Sequence, residues 1–265
     1  MNKIQKTIKY FAIVLGIYLV VSIFIGLLTL VNDISGLSSK ASKDDNYYKT
    51  YNLNNNLNLD IDLHYSNLKI MTANEYKIET NNSDLKIDES NDTIYIKDTK
   101  NIFNRKDHNI ILYIPDEKNI DTVKIDTGAG KIDISKLKTN NLFLNLGAGV
   151  VEIQSLTVNN LTNIDTGAGS LNIADSQLHN LDLDMGVGDV VINSILSGNC
   201  EIDAGVGSLE INLLDSQDNY TFDINKGIGN ILFNDNNIRS SIVGNGLNKI
   251  IIDGGLGNIK IATVN

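Results

Sequence analysis

The chain has 265 residues, with 22 lysines and arginines against 32 acidic residues, a net charge of −10, one cysteine and one proline. One cysteine excludes an internal disulfide and a cysteine zinc site, and His64, His108 and His179 lie too far apart for a motif such as HExxH. An acidic chain whose arginines are Arg105 and Arg239 alone also excludes nucleic-acid binding, which needs a basic surface.

Residues 10–31, YFAIVLGIYLVVSIFIGLLTLV, carry no charge. As a helix they would span about 33 Å, the thickness of a bilayer core. Lys3, Lys6 and Lys9 precede the run and Asp33 follows it. The positive-inside rule therefore predicts a single-pass plasma-membrane protein: a cytoplasmic stub at 1–9, a transmembrane helix at 10–31, and everything beyond on the outside. The rival, a cleaved signal peptide, wants an apolar region of about 7–15 residues and a small-x-small cleavage site; LVNDISGLSSK offers none. Without the three stub lysines, 19 basic residues face all 32 acids, so the exported part carries −13. Residues 32–50 are polar and aperiodic and read as a linker.

Residues 51–120 alternate without a repeated motif: LNLDIDLHYSNLKIM, YKIET, SDLKID, DTIYIKD and NIILYIP. They are expected to be degenerate β coils that cap the anchored end of a stack, with Pro115 ending a ladder. NIFNRKDHN, around Arg105, reads as a loop and as the one basic patch.

From residue 121 to 265 one phrase recurs seven times, from IDTGAGKIDI at Ile125 to IDGGLGNIKI at Ile252. The first glycine of each Gly-x-Gly is Gly128, Gly147, Gly167, Gly186, Gly205, Gly227 and Gly255, at intervals of 19, 20, 19, 19, 22 and 28. Apolar residues hold the positions three before and four and six after that glycine, as in Ile125, Ile132 and Ile134, with polar residues between. Period-two alternation marks strands with one buried face. Strand, glycine corner, strand and polar return in 19–20 residues predict an all-β fold: a β-solenoid, or single-stranded β-helix, in which each coil is too small to be stable without neighbours. A sandwich of hairpins is the runner-up, disfavoured by the unbroken register.

The alternating strands followed by ILYIPDEKNIDTVKIDTGAGKIDI and the repeated Gly-x-Gly units resemble a bacterial β-strand-repeat family named "putative adhesin", a domain of unknown function. The likeness covers about residues 57–265 and is most specific around LYIP. It implies an exported or single-pass envelope protein, and it carries over no ligand and no catalytic residue.

Two before the first glycine stand Asp126, Asn145, Asp165, Asp184, Asp203, Asn225 and Asp253. Stacked about 4.8 Å apart, adjacent carboxylates repel by roughly 0.9 kcal/mol even in water. The favoured account is local: each side chain accepts a hydrogen bond from a corner N–H. The sharper, less favoured account is calcium bridged by Asp126, Asp165, Asp184, Asp203 and Asp253. No other cofactor is expected. Gly-x-Gly without a third glycine, a following helix or a distal acid is a structural corner, not a nucleotide fingerprint. Cys200 falls in an apolar column and reads as a buried small hydrophobe, and the histidines read as surface residues. The long interval before Gly255 holds 234–249, with Gly244 and Gly246, either as a bulging loop or as a small extra coil. Residues 258–263 read as an open C-terminal edge strand able to pair with a second copy.

These features point to a non-enzymatic, membrane-anchored surface protein, an adhesin-like binding or scaffold module for an envelope polymer or a membrane-protein partner. An accessory or sensor component of an envelope-stress response is the alternative, and needs a membrane partner because nine cytoplasmic residues cannot signal alone. A polysaccharide-active β-helix enzyme is disfavoured, since its acids would cluster at one spot beside a base or metal.

Overall fold

The computed structural model describes residues 48–98, 108–239 and 241–264. The expected stub, the membrane span 10–31 and residues 32–47 of the linker lie outside these, as do residues 101–107 of the basic piece. Among the described residues no helix is long and apolar enough to cross a membrane. The described residues form one compact unit.

The first half of that unit contributes β1 (Lys49–Asn52), β2 (Asn58–Leu63), β3 (Ser66–Ala73), β4 (Lys77–Thr80), β5 (Lys86–Ser90), β6 (Thr93–Lys97) and β7 (His108–Pro115). The linker thus ends in a strand at Lys49, and His108 and Asn109 open β7 rather than finish a loop. The repeat region contributes β8 (Ile120–Ile134), β9 (Leu137–Ile153), β10 (Leu156–His179), β11 (Leu181–Ser197), β12 (Asn199–Asp203), β13 (Val206–Ser216), β14 (Tyr220–Asn225), β15 (Ile231–Phe233), β16 (Asn236–Ile238), β17 (Ser241–Gly244), β18 (Asn248–Asp253) and β19 (Leu256–Val264).

Each coil is one bent strand or a pair of strands joined through the glycine corner. β8, β9, β10, β11 and the β12–β13 pair stack in parallel and in register. The predicted columns are the core: Ile125, Leu144, Ile164, Leu183, Ile202, Ile252 and Ile224 pile up rung on rung and are buried. Polar residues of the return loops stack in the same way. Asn119 and Asn159 each donate 3.0 Å to Asn140 Oδ1, and Asn180 accepts from the Asn199 amide at 3.0 Å. An amide side chain both donates and accepts without charge, so asparagine can stack on itself. Asparagine makes up about one residue in seven of the chain, well above ordinary usage, and the return loops use some of them in this way.

At both ends the spatial order departs from the chain order. β18 and β19 pair in parallel with β12 and β13 on one side and with β14 and β15 on the other. The C-terminal strand is therefore an interior layer, not the open edge expected at 258–263. Its apolar positions, Ile259 and Ile261, gain a rung above and a rung below, burial that an end position would lack. The same happens at the other end, where β2 lies between β6 and β8, and β3 between β7 and β8.

Antiparallel strands close the stack. β4 and β5 cover β7 and β6, with β1 beyond β4. β16 and β17 cover β15 and β14. The interval 234–249 is thus neither a plain loop nor a coil: β16 and β17 form a cap, which lays Ile238 and Val243 over the distal end of the core as Tyr51, Leu53 and Ile87 lie over the proximal end, and Asn248 and Lys249 open β18. Bulky rings fill the last layer beneath the distal cap, with Phe222 and Phe233 edge-to-face at 5.0 Å.

Candidate functional site

The corner ridge is the most regular surface of the molecule. Its two glycine columns have different causes. The second glycines hold φ between about +139° and +153°, as at Gly188 (+144°) and Gly149 (+153°), a region that L side chains rarely enter. The first glycines do not have positive φ. A methyl group at Gly147 would instead overlap the Gly128 carbonyl oxygen of the adjacent coil, and one at Gly255 the carbonyls of Ala204 and Gly205. Gly128, Gly147, Gly167, Gly186, Gly205, Gly255 and Gly227, in that spatial order, are therefore corners made by coil-to-coil approach.

Between the two bare columns one side chain per coil stands outward. The row runs Ala129, Ala148, Ala168, Val187, Val206, Leu256 and Ile228, paired rung to rung. Side-chain size grows along it, and it ends in open water, with Leu256 49% and Ile228 74% exposed. At the proximal end the corner position is held by Tyr65, 59% exposed. The size gradient is already present in the linear order of the sequence; the structure adds that Ile228 rather than Leu256 is its last member.

The acidic column flanks this apolar row. Asp126, Asn145, Asp165, Asp184, Asp203, Asp253 and Asn225 stack in register, with Asp62 beneath Asp126. At the proximal end lysines neutralise it, Lys97 lying 3.7 Å from Asp62 and Lys124 2.9 Å from Asp126. Further along, four carboxylates follow one another, and Asn225 closes the run with a 2.8 Å hydrogen bond to Asp253. Partial burial and then the charges of Asp184 and Asp182 push the Asp165 carboxyl above its usual range. Partial burial and then Asp184 and Asp253 do the same at Asp203.

The expected turn role of this column is corrected by the hydrogen bonds. Corner amides donate to backbone carbonyls of the next coil: Ala129 N to His64 O, Ala204 N to Asp253 O and Leu256 N to Gly205 O, each at 2.8 Å. These donors go to the ladder, Gly186 N goes to Thr166 Oγ1 at 3.2 Å, and the Asp side chains point outward. Side chains that accept from backbone N–H groups stand instead just past the corner and bridge adjacent coils: Asn67 accepts from Lys131 N at 2.9 Å, Asp189 from Ser208 N at 3.2 Å and Asn258 from Asn230 N at 3.3 Å. Among the described residues no group of three or more His, Cys, Asp or Glu side chains converges as a metal would require. The calcium set Asp126, Asp165, Asp184, Asp203 and Asp253 forms a line, not a cage.

A polar cluster that sequence reading missed replaces the glycine corner in the β2–β3 coil. Buried Asp98 accepts from His64 N at 2.7 Å, Tyr65 N at 3.3 Å and Ser66 Oγ at 2.9 Å, and lies 2.9 Å from His64 Nδ1. His64 is thus a partner of the corner rather than a plain surface residue. Ser, His and Asp here do not form a nucleophilic relay: Ser66 is buried and bonds Asp98 directly, not the imidazole. Asp98 supplies the acceptors that a neighbouring corner supplies elsewhere. Cys200 lies where its column placed it, buried, with its thiol pushed up to about 11 by burial.

The chain belongs to the Toastrack DUF4097 family, a domain of unknown function, whose model matches residues 40–242. No curated protein matches it. Among solved structures it is similar to one described as a putative adhesin from Bacteroides fragilis, 16% identical with a TM-score of 0.52, covering 81% of this chain and 95% of that one. It is also matched to a putative cell adhesion protein from Clostridium sporogenes, at 16% identity over 82% and 99% of the two chains with a TM-score of 0.36. A putative adhesin from Parabacteroides merdae matches at 13% identity over 82% and 95%, with a TM-score of 0.40.

Proposed function

We propose that this protein is a non-enzymatic binding module, held at the outer face of the plasma membrane by residues 10–31, that engages an extended envelope polymer or protein along its corner ridge. The observation that carries the reading is the pairing of an apolar row, half-buried from Ala129 to Val206 and exposed at Leu256 and Ile228, with a parallel row of carboxylates along the same coils. An apolar strip bordered by acceptors suits a partner with an apolar face and repeated hydroxyl or ammonium donors, and it repels polyanions. The adhesin description of the structural relative supports a surface role.

The test is binding of the full chain in detergent to sugar-based and polyanionic wall polymers, with Val187→Lys and Val206→Lys as ridge variants. Retention on neutral or amino-sugar polymers that the lysine variants lose supports the reading. Equal retention of both variants overturns it. Protease accessibility of residues 48–264 on intact cells checks the predicted orientation. Cross-linking from residues 10–31 to a second membrane protein would favour the stress-response accessory role instead.

A further inference from the structure

The two capped ends of the stack differ in chemistry. Among the described residues, β16 and β17 each pair on one side alone, with β15 and β14, so each presents a row of backbone donors and acceptors outward. At the proximal end the outer strands are β1 and β5, and both carry charge: Lys49 in KTYN, and Lys86, Asp88 and Glu89 in KIDES. Charged side chains are a standard block to edge-to-edge pairing. β16 and β17 read NNI and SIVG and carry none. Residues 234–247 hold one acid, Asp235, and one base, Arg239, in a chain of net charge −10. Apolar side chains also stand in water in this cap, Ile242 at 72% and Leu247 at 98% exposure.

We propose that the distal cap is a self-association surface, on which β17 of one molecule pairs with β17 of a second copy about a two-fold axis. An antiparallel pair made from one edge strand is self-complementary, so each copy supplies the same donors and acceptors and closure is automatic. In this register Ile242 of each copy packs into the joint. Electrostatics favours a second copy here: two acidic molecules repel along their carboxylate ridges, whereas the cap carries a single acid, Asp235, and a base, Arg239, so copies meeting there stack few like charges. The joint is small, about one short strand per copy, so the dimer is weak and concentration-dependent.

Sedimentation of the full chain in detergent across a dilution series tests this, alongside Ile242→Lys, the control Leu214→Lys on exposed β13, and the cysteine variants Ile242→Cys and Leu214→Cys. The expected result is a reversible dimer that Ile242→Lys weakens about tenfold or more, that Leu214→Lys leaves unchanged, and that Ile242→Cys traps as a disulfide under mild oxidation. Buried Cys200 does not compete in that trap. Thermal melts establish that Ile242→Lys still folds. A monomer at every concentration overturns the proposal. So does a dimer that is indifferent to Ile242→Lys and is not trapped through Ile242→Cys, since that dimer forms elsewhere.

Discussion

A methyl group at Gly188 would meet the Gly169 carbonyl oxygen of the neighbouring coil, and its backbone sits at φ +144°. Both obstacles act together, so Gly188→Ala is expected to cost about 2–4 kcal/mol. Ala168→Ser, in the outward column between the two glycine columns, is expected to stay within about 0.5 kcal/mol. Urea denaturation of both variants checks the contrast. Asp98 presents the opposite case, a buried acceptor for three donors. Asp98→Ala leaves those donors unpaired and is expected to destabilise by about 2–4 kcal/mol. At Ser194 the buried hydroxyl has no hydrogen-bond partner among the described residues. Ser194→Ala is therefore expected to be neutral, or stabilising by up to about 1 kcal/mol, in the same assay.

At the scale of the element, the carboxylate row has a pH signature opposite to that of the paired acids. Folding raises the Asp165 and Asp203 pKa, so the native state binds more protons than the unfolded chain just above the ordinary carboxylate range. Stability from this row falls as pH rises through that window and returns on acidification. Glu79, held down by the hydrogen bond from Lys77, and Glu210, held down by that from Lys260, contribute in the other sense. Their contribution is full above the unfolded carboxylate pKa and is lost as pH falls through their lowered values. Asp184 touches both raised neighbours in the ladder. Asp184→Asn is expected to stabilise by about 0.5 kcal/mol at neutral pH, after discounting for solvent screening, with the gain fading in acid and at high salt. Denaturation midpoints at neutral and acid pH, with and without salt, read this directly.

For the whole molecule, the inward tuck of β18–β19 decides how the distal part of the stack fails. In a solenoid wound in chain order, ending the chain after Leu247 would trim the last coil and leave the rest. Here β18 and β19 are the layer that joins β12 and β13 to β14 and β15. Truncation after Leu247 is expected to release β14 to β17 as well, so that amides of 220–233 exchange with solvent as fast as those of an unfolded segment. Slow exchange in β14 after truncation would contradict the tucked order. The arrangement also hides the terminal strand, which an ordinary end layer would leave as an unpaired edge.

The periodic part of this fold was readable from the residues alone. Ile125, Leu144, Ile164 and their equivalents name their own column, and a period of two with glycine corners allows few arrangements other than stacked coils. Cys200 was placed by the same columns. The burial of the acidic row's neighbours and the outward aim of Asp165 and Asp203 follow from alternation, which is local. The order of the coils does not. A run such as IDGGLGNIKI fits equally well beside any copy of itself, because identical columns present identical partners. What breaks the tie is long-range: the ends must be covered, and tucking β18–β19 inside while β16 and β17 fold into a cap buries more apolar surface than leaving Ile259 and Ile261 at an open face. The chain did carry a trace of this in its intervals. The step of 22 residues holds the 3₁₀ turn Gln217–Asn219, where the strand path skips a rung, and the step of 28 holds the cap and the return. The first glycines were likewise legible as corners, but only the neighbouring carbonyls, 19 or 20 residues away in sequence at Gly147 and Gly167, show that crowding rather than dihedral freedom requires them.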